Sequence, residues 1–84
     1  MSTNGEFLKE ACSEAYTAFD KLKSEEYNEI KSKLEFCIGS YDFDKNPSGL
    51  HEFGVKALDL LKDIKVKSPR KVNKKVIDKL EKSL

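Results

Sequence analysis

Tryptophan is absent from this 84-residue chain, and histidine occurs once, at position 51. With a single imidazole, and no serine, cysteine or acid spaced beside it as a nucleophile–base pair, no convergent catalytic set is legible. A non-enzymatic protein, with no cofactor and no bound metal, is therefore the expectation. Two cysteines, Cys12 and Cys37, lie too far apart for a CxxC site and are too few for a disulfide framework. No apolar run approaches the roughly 20 residues that cross a bilayer, so no membrane contact is expected. Residues Met1–Glu6 have neither a basic nor an apolar signal region, which makes a reduced, cytoplasmic setting the default. Strand signals are lacking as well, since no hairpin dipeptide stands between alternating segments.

What the chain does have is charge, unevenly placed. Residues 1–44 carry ten acids against five bases, and residues 45–84 carry eleven bases against five acids. The near-neutral total of +1 conceals this split. Nine bases (Lys62, Lys65, Lys67, Arg70, Lys71, Lys74, Lys75, Lys79 and Lys82) crowd the C-terminal end. Such asymmetry points either to an anionic partner or to one half of the molecule docking on the other.

Apolar residues repeat at helical spacing in three places. Leu8, Cys12, Ala15, Phe19 and Leu22 form one stripe; Tyr27, Ile30, Leu34, Cys37 and Tyr41 form a second. Leu50, Phe53, Ala57, Leu60 and Ile64 form the third. Alternating steps of three and four place each set on one helical face. Ser24 before Glu25-Glu26 reads as an N-cap, and Asn46-Pro47 and Ser68-Pro69 read as a cap followed by proline at the first helical position. Helices are predicted over about 5–22, 25–41, 47–65 and 69–83, the last with a weaker stripe of Val72, Val76, Ile77 and Leu80. Short links force neighbours to double back. The predicted fold is all-α: one domain over 1–84, a small up-and-down helical bundle of three main amphipathic helices plus a shorter basic C-terminal helix.

Several candidate sites follow from this layout. Cys12 and Cys37 stand nearly equidistant from the turn at 23–24, so an antiparallel pair brings them to the same height in the core. That placement allows a disulfide or redox switch, but in a reduced setting the commoner outcome is a free thiol that behaves as a small apolar side chain. Asp42-Phe43-Asp44-Lys45-Asn46 opens like a calcium loop, but Pro47 replaces the glycine of its sharp turn and Phe53 the bidentate glutamate. A polar loop in which Asn46 caps the third helix accounts for the same residues. His51, with Glu52 beside it, lacks the following lysine and glycine of a phosphotransfer helix and reads as an exposed histidine.

The stretch Asp44 to Lys62, with Asn46-Pro47 at its start and Phe53-Gly54-Val55-Lys56-Ala57 within it, loosely resembles the third helix of acyl-CoA-binding proteins. The likeness covers about a quarter of the chain. That family has a tyrosine–lysine motif on its second helix and tryptophans on its third. Leu58 and Leu61 are aliphatic here and tryptophan is missing, so no ligand residue carries over.

The basic C-terminal region is the main functional candidate, through Lys67, Arg70, Lys71, Lys74, Lys75 and Lys82. A helix starting at Pro69 sets Arg70 and Lys71 in its first turn, where the dipole disfavours cations unless an anion sits there. Lys71, Lys75 and Lys82 then line the face opposite Val72, Val76 and Leu80. The leading expectation is a protein-interaction or regulatory module. The alternative is a nucleic-acid-associated protein contacting phosphates non-specifically, because no aromatic residue interleaves the bases for stacking. Further copies of the same chain are a third class of partner.

Overall fold

Leu8, Ala11, Cys12, Ala15, Ala18 and Phe19 are all buried along one side of α1 (Asn4–Leu22), as their spacing requires. The computed structural model describes residues 4–46 and 48–84. A single 3-10 turn (Glu25–Tyr27) leads into α2 (Asn28–Asp44), followed by α3 (Ser48–Lys67) and α4 (Lys74–Ser83). Four α-helices and no strand make up the regular structure of the described residues, an all-α helical bundle.

Cross-helix pairs fix the directions. Lys9 meets Asp42 at one end of α1 and α2, and Lys31 meets Asp20 at 3.4 Å at the other, so the two run antiparallel. Lys33 of α2 lies 5.9 Å over the Phe53 ring of α3, and Lys62 of α3 reaches Glu81 of α4 at 3.1 Å. Lys79 of α4 returns to Glu10 and Glu14 of α1, closing the up-and-down ring. α1 touches the other three helices and forms the spine of the bundle. The radius of gyration, 12.0 Å, matches the value of about 12 Å expected for a compact domain of this length.

The core contains Phe19, Leu8, Leu34, Leu50, Leu61 and Leu80 as its largest fully buried side chains. Two glycines let α3 approach its neighbours. A Cβ at Gly49 would stand 2.9 Å from Cys37 Sγ; one at Gly54 would stand 3.0 Å from Leu84 Cδ2. The third stripe is rotated from its expected centre. Gly54, Leu58 and Leu61 are buried, whereas Phe53 and Leu60 are only half-buried, because α3 packs on α1 and α4 as well as on α2.

Three helix boundaries differ from expectation, each for a local reason. The second helix, expected over 25–41, runs over 28–44. Ser24 is extended (φ −105°, ψ 134°) and its side chain caps nothing, while Tyr27 N–H closes a tight turn on Ser24 O at 3.2 Å. Nothing then stops α2 until Lys45 turns left-handed (φ 59°) and donates its N–H to Tyr41 O at 2.7 Å. A lysine in that conformation costs about 1–2 kcal/mol, which glycine would avoid. The third helix continues past 65 to Lys67, and Pro47, its expected first residue, lies outside the described residues.

The fourth helix begins at Lys74 rather than 69. Pro69 instead occupies the second position of a turn closed by Lys71 N–H on Ser68 O at 2.9 Å. The fixed φ of proline suits that position as well as it suits a helix start. The cap is Asn73, extended at φ −79° and ψ 129°, whose side-chain oxygen accepts from Lys75 N–H at 2.8 Å.

Candidate interaction surface

Bases that look alike in sequence play different parts in the fold. Lys79, held between Glu10 (3.1 Å) and Glu14 (2.7 Å), is a tie between α4 and α1, and its pKa is raised by the Glu14 and Glu10 hydrogen bonds. Lys62 pairs with Glu81, and Lys67 pairs with Asp63 one turn earlier on α3 at 3.1 Å. Lys65 donates to two carbonyls of the following segment, Pro69 O at 2.9 Å and Val72 O at 3.1 Å. Its ammonium therefore pins the turn that links α3 to α4.

Arg70, Lys71, Lys74, Lys75 and Lys82 are exposed and have no acidic partner within 4 Å among the described residues. Their arrangement differs from the one expected. Arg70 and Lys71 sit on the turn, not in the first turn of a helix, so the argument from the helix dipole does not apply to them. Lys74 and Lys75 take the first turn of α4 instead, with no acid there to offset them. Lys71 drops out of the expected stripe, and only Lys75 and Lys82 share the outer face of α4. Lys67 stands apart, engaged on α3 by Asp63.

The turn carries Arg70 and Lys71 to the rim of a groove of about 610 Å³ between α1 and the start of α4. Ala18, Val72 and Val76 give it an apolar floor, with Ala18 and Val72 buried. Lys21 of α1 stands on the rim with Arg70 and Lys71, and the hydroxyls of Ser13 and Thr17 line the wall. Thr17 Oγ1 donates to Ser13 O at 3.1 Å, as a threonine one turn along a helix does. Glu14, the one acid of the lining, is already held by Lys79. Lys71 also borders a smaller hollow of about 220 Å³ lined by two acids, Asp63, which is taken up by Lys67, and Glu26.

The sequence did not single out the α1 side of this groove, since Ser13, Thr17 and Lys21 become its wall only when α4 packs against them. It also did not single out Phe36 and Phe43, which are 74% and 92% exposed on α2. A signal was present: both lie roughly a third of a turn or more away from the centre of the Ile30, Leu34, Cys37, Tyr41 stripe.

The other candidates resolve simply. Cys12 and Cys37 are buried free thiols. Burial pushes the Cys12 thiol up to about 12, with Cys37 a lesser cause, and burial raises Cys37 as well, with Glu52 second. Cys12 Sγ lies 3.8 Å from Leu50 O, so both cysteines pack against the N-terminal half of α3. Asp42 and Asp44 belong to the last turn of α2. Asp42 holds Lys9, and Asp44 Oδ1 accepts Asn46 N–H at 2.9 Å. Asn46 Oδ1 in turn accepts Ser48 N–H at 3.0 Å, the capping role expected of it. No group of three or more potential metal ligands occurs among the described residues. His51 is exposed on α3. No described helix is long and apolar enough to cross a membrane.

No protein-family model matches the chain, and no curated protein or solved structure matches it either.

Proposed function

We propose that this protein is a small interaction module whose groove between α1 and the start of α4 receives an acidic, apolar segment of a protein partner. The observation that carries this reading is the pairing of an apolar floor (Ala18, Val72, Val76) with a rim of three cations (Lys21, Arg70, Lys71) in one groove. Apolar side chains gain by leaving water on the floor. Flanking carboxylates meet Arg70 and Lys71, neither of which has an acidic partner within 4 Å to give up among the described residues. Arg70 adds a planar fork suited to a carboxylate. Lys74 and Lys75 extend the positive field past the groove and steer an acidic partner toward it.

An apolar floor adds little to a phosphate track, and no aromatic ring lines the groove to stack on a base. The reading is tested by fluorescence titration with three probes: a labelled peptide of glutamate and phenylalanine, polyglutamate, and single-stranded DNA. The mixed peptide is expected to bind tightest and to keep much of its affinity as salt rises. Arg70→Glu with Lys71→Glu should abolish that binding while leaving the helical circular dichroism intact. Equal binding of DNA and peptide, lost together at high salt, would instead mean phosphate binding through counterion release.

A further inference from the structure

We infer that the outer face of α2, which carries Phe36 and Phe43, docks into the Arg70–Lys71 groove of a second copy of this chain. The inference rests on the groove reading above and names its occupant. Phe36 and Phe43 are seven residues apart on α2, so their rings project from nearly the same side, about 10 Å apart along the axis. They are the two most exposed aromatic side chains of the described residues, at 74% and 92%. Between them lie Ser40 and Gly39, and a Cβ at Gly39 would have nothing within 4 Å. The ridge between the rings is therefore low, and a partner surface can close on both at once.

The charge around the rings selects the occupant. Glu29, Glu35, Asp42 and Asp44 are exposed on α2 beside or between them, against Lys33 on the helix and Lys45 just past its end, the latter held by Glu6 at 3.8 Å. Asp42 is engaged by Lys9, while Glu29 and Glu35 have no cationic partner within 4 Å among the described residues. An acidic surround with two bare phenyl rings complements a basic rim with an apolar floor, the composition of the groove. The two surfaces cannot meet within one molecule, because the rings project outward from α2 while the groove opens between α1 and α4.

Pairing the α2 face with itself gains little from charge. An antiparallel match of Phe36 with Phe43 sets Lys33 of one copy beside Asp44 of the other, but Glu35 beside Asp42, whose charge Lys9 already meets. The groove instead offers Lys21, Arg70 and Lys71 to the acids of this face, in a head-to-tail contact with each copy offering a Phe face and a groove.

Sedimentation velocity over a concentration series at low salt tests this. The native protein is expected to grow in mass beyond a dimer and to shrink again as salt rises. Phe36→Ser with Phe43→Ser keeps the groove and loses the face; Arg70→Glu with Lys71→Glu keeps the face and loses the groove. All four positions are exposed, and the matching single variants Phe43→Ser and Lys71→Glu serve should either double variant not fold.

Each variant alone should be monomeric, with self-affinity reduced at least about tenfold, whereas their equimolar mixture should form a one-to-one dimer that grows no further. A native protein that stays monomeric throughout overturns the inference, as does a mixture that stays monomeric. Dimerisation of the groove variant alone also overturns it, because the Phe face then pairs with itself. If the native protein is monomeric yet binds the glutamate–phenylalanine peptide through Arg70 and Lys71, the self-docking inference falls and the groove reading stands. If it does neither, both fall.

Discussion

Replacing Lys65 with methionine tests whether the turn that presents Arg70 and Lys71 is held by one ammonium group. Lys65 Nζ donates to Pro69 O at 2.9 Å and to Val72 O at 3.1 Å, bridging both ends of the segment between α3 and α4. Methionine keeps a similar stem and helix propensity, so the change removes the two donors and little packing. A hydrogen bond from a charged group contributes about 1.5–3 kcal/mol when buried and less than about 1 when exposed. The Pro69 bond is exposed and the Val72 bond part-buried, so the expected loss is about 1–2 kcal/mol. In a domain of this size that corresponds to a fall of roughly 5–15 °C in melting temperature. Urea denaturation should show the loss with an unchanged m-value. Amide exchange should quicken at Lys71, whose N–H closes on Ser68 O within the segment, and at Val76 in the first turn of α4, whose N–H closes on Asn73 O. A loss under about 0.3 kcal/mol, with those two amides as protected as before, would refute the pinning role.

Leu34→Ala removes a fully buried side chain from α2 and should cost about 2–5 kcal/mol by urea denaturation; a loss under about 1 would mean the site collapses without a cavity. Cys12 and Cys37 should react slowly with a thiol reagent at pH 8 in the folded protein and rapidly in denaturant, because burial holds both thiols protonated. The same shift makes stability fall with alkali. Above pH about 9 the unfolded thiol ionises while folded Cys12 stays protonated toward 12, so the unfolded state gains by up to about 1.4 kcal/mol per pH unit. Unfolding midpoints at pH 9 and 10 that coincide in the native protein would contradict this, and Cys12→Ala should flatten the dependence.

Local pattern carried the fold a long way. The periodicity of Leu8 to Phe19 and of Ile30 to Tyr41 marked buried faces correctly, and the cysteines met in one core as their distance from the turn implied. Boundaries were less legible because several residues suit two roles. Proline at 69 satisfies a β-turn as readily as a helix start, and only Asn73, with its side chain on Lys75 N–H, decides where α4 begins. Ser24 has the extended backbone of a cap, yet its side chain makes no capping bond, which a sequence cannot reveal. The rotation of α3 toward Gly54, Leu58 and Leu61 depends on having three neighbours, a property of the packed bundle and not of the segment.

The candidate surface was legible only by half, and the reason is electrostatic. A run of bases shows how much charge there is but not which acid each base will meet. Folding brings Glu10 and Glu14 to Lys79, Glu6 to Lys45 at 3.8 Å, Asp42 to Lys9 and Asp20 to Lys31, pairs separated by up to 69 residues. Lys79 and Lys45 tie the basic half to the acidic half, whereas Lys9–Asp42 and Lys31–Asp20 pair charges within residues 1–44. Among the described residues, Glu29 and Glu35 on α2, and Arg70, Lys71, Lys74 and Lys75 around the start of α4, have no ion-pair partner within 4 Å. Internal pairing thus does not cancel the charge split written in the chain. Of the surfaces that keep unpaired charge, one bears exposed rings and another an apolar floor. Opposite charge alone would give a weak and salt-sensitive attraction. Phenylalanine on one surface and Ala18, Val72 and Val76 on the other give that attraction something to bury once charge has brought the surfaces together.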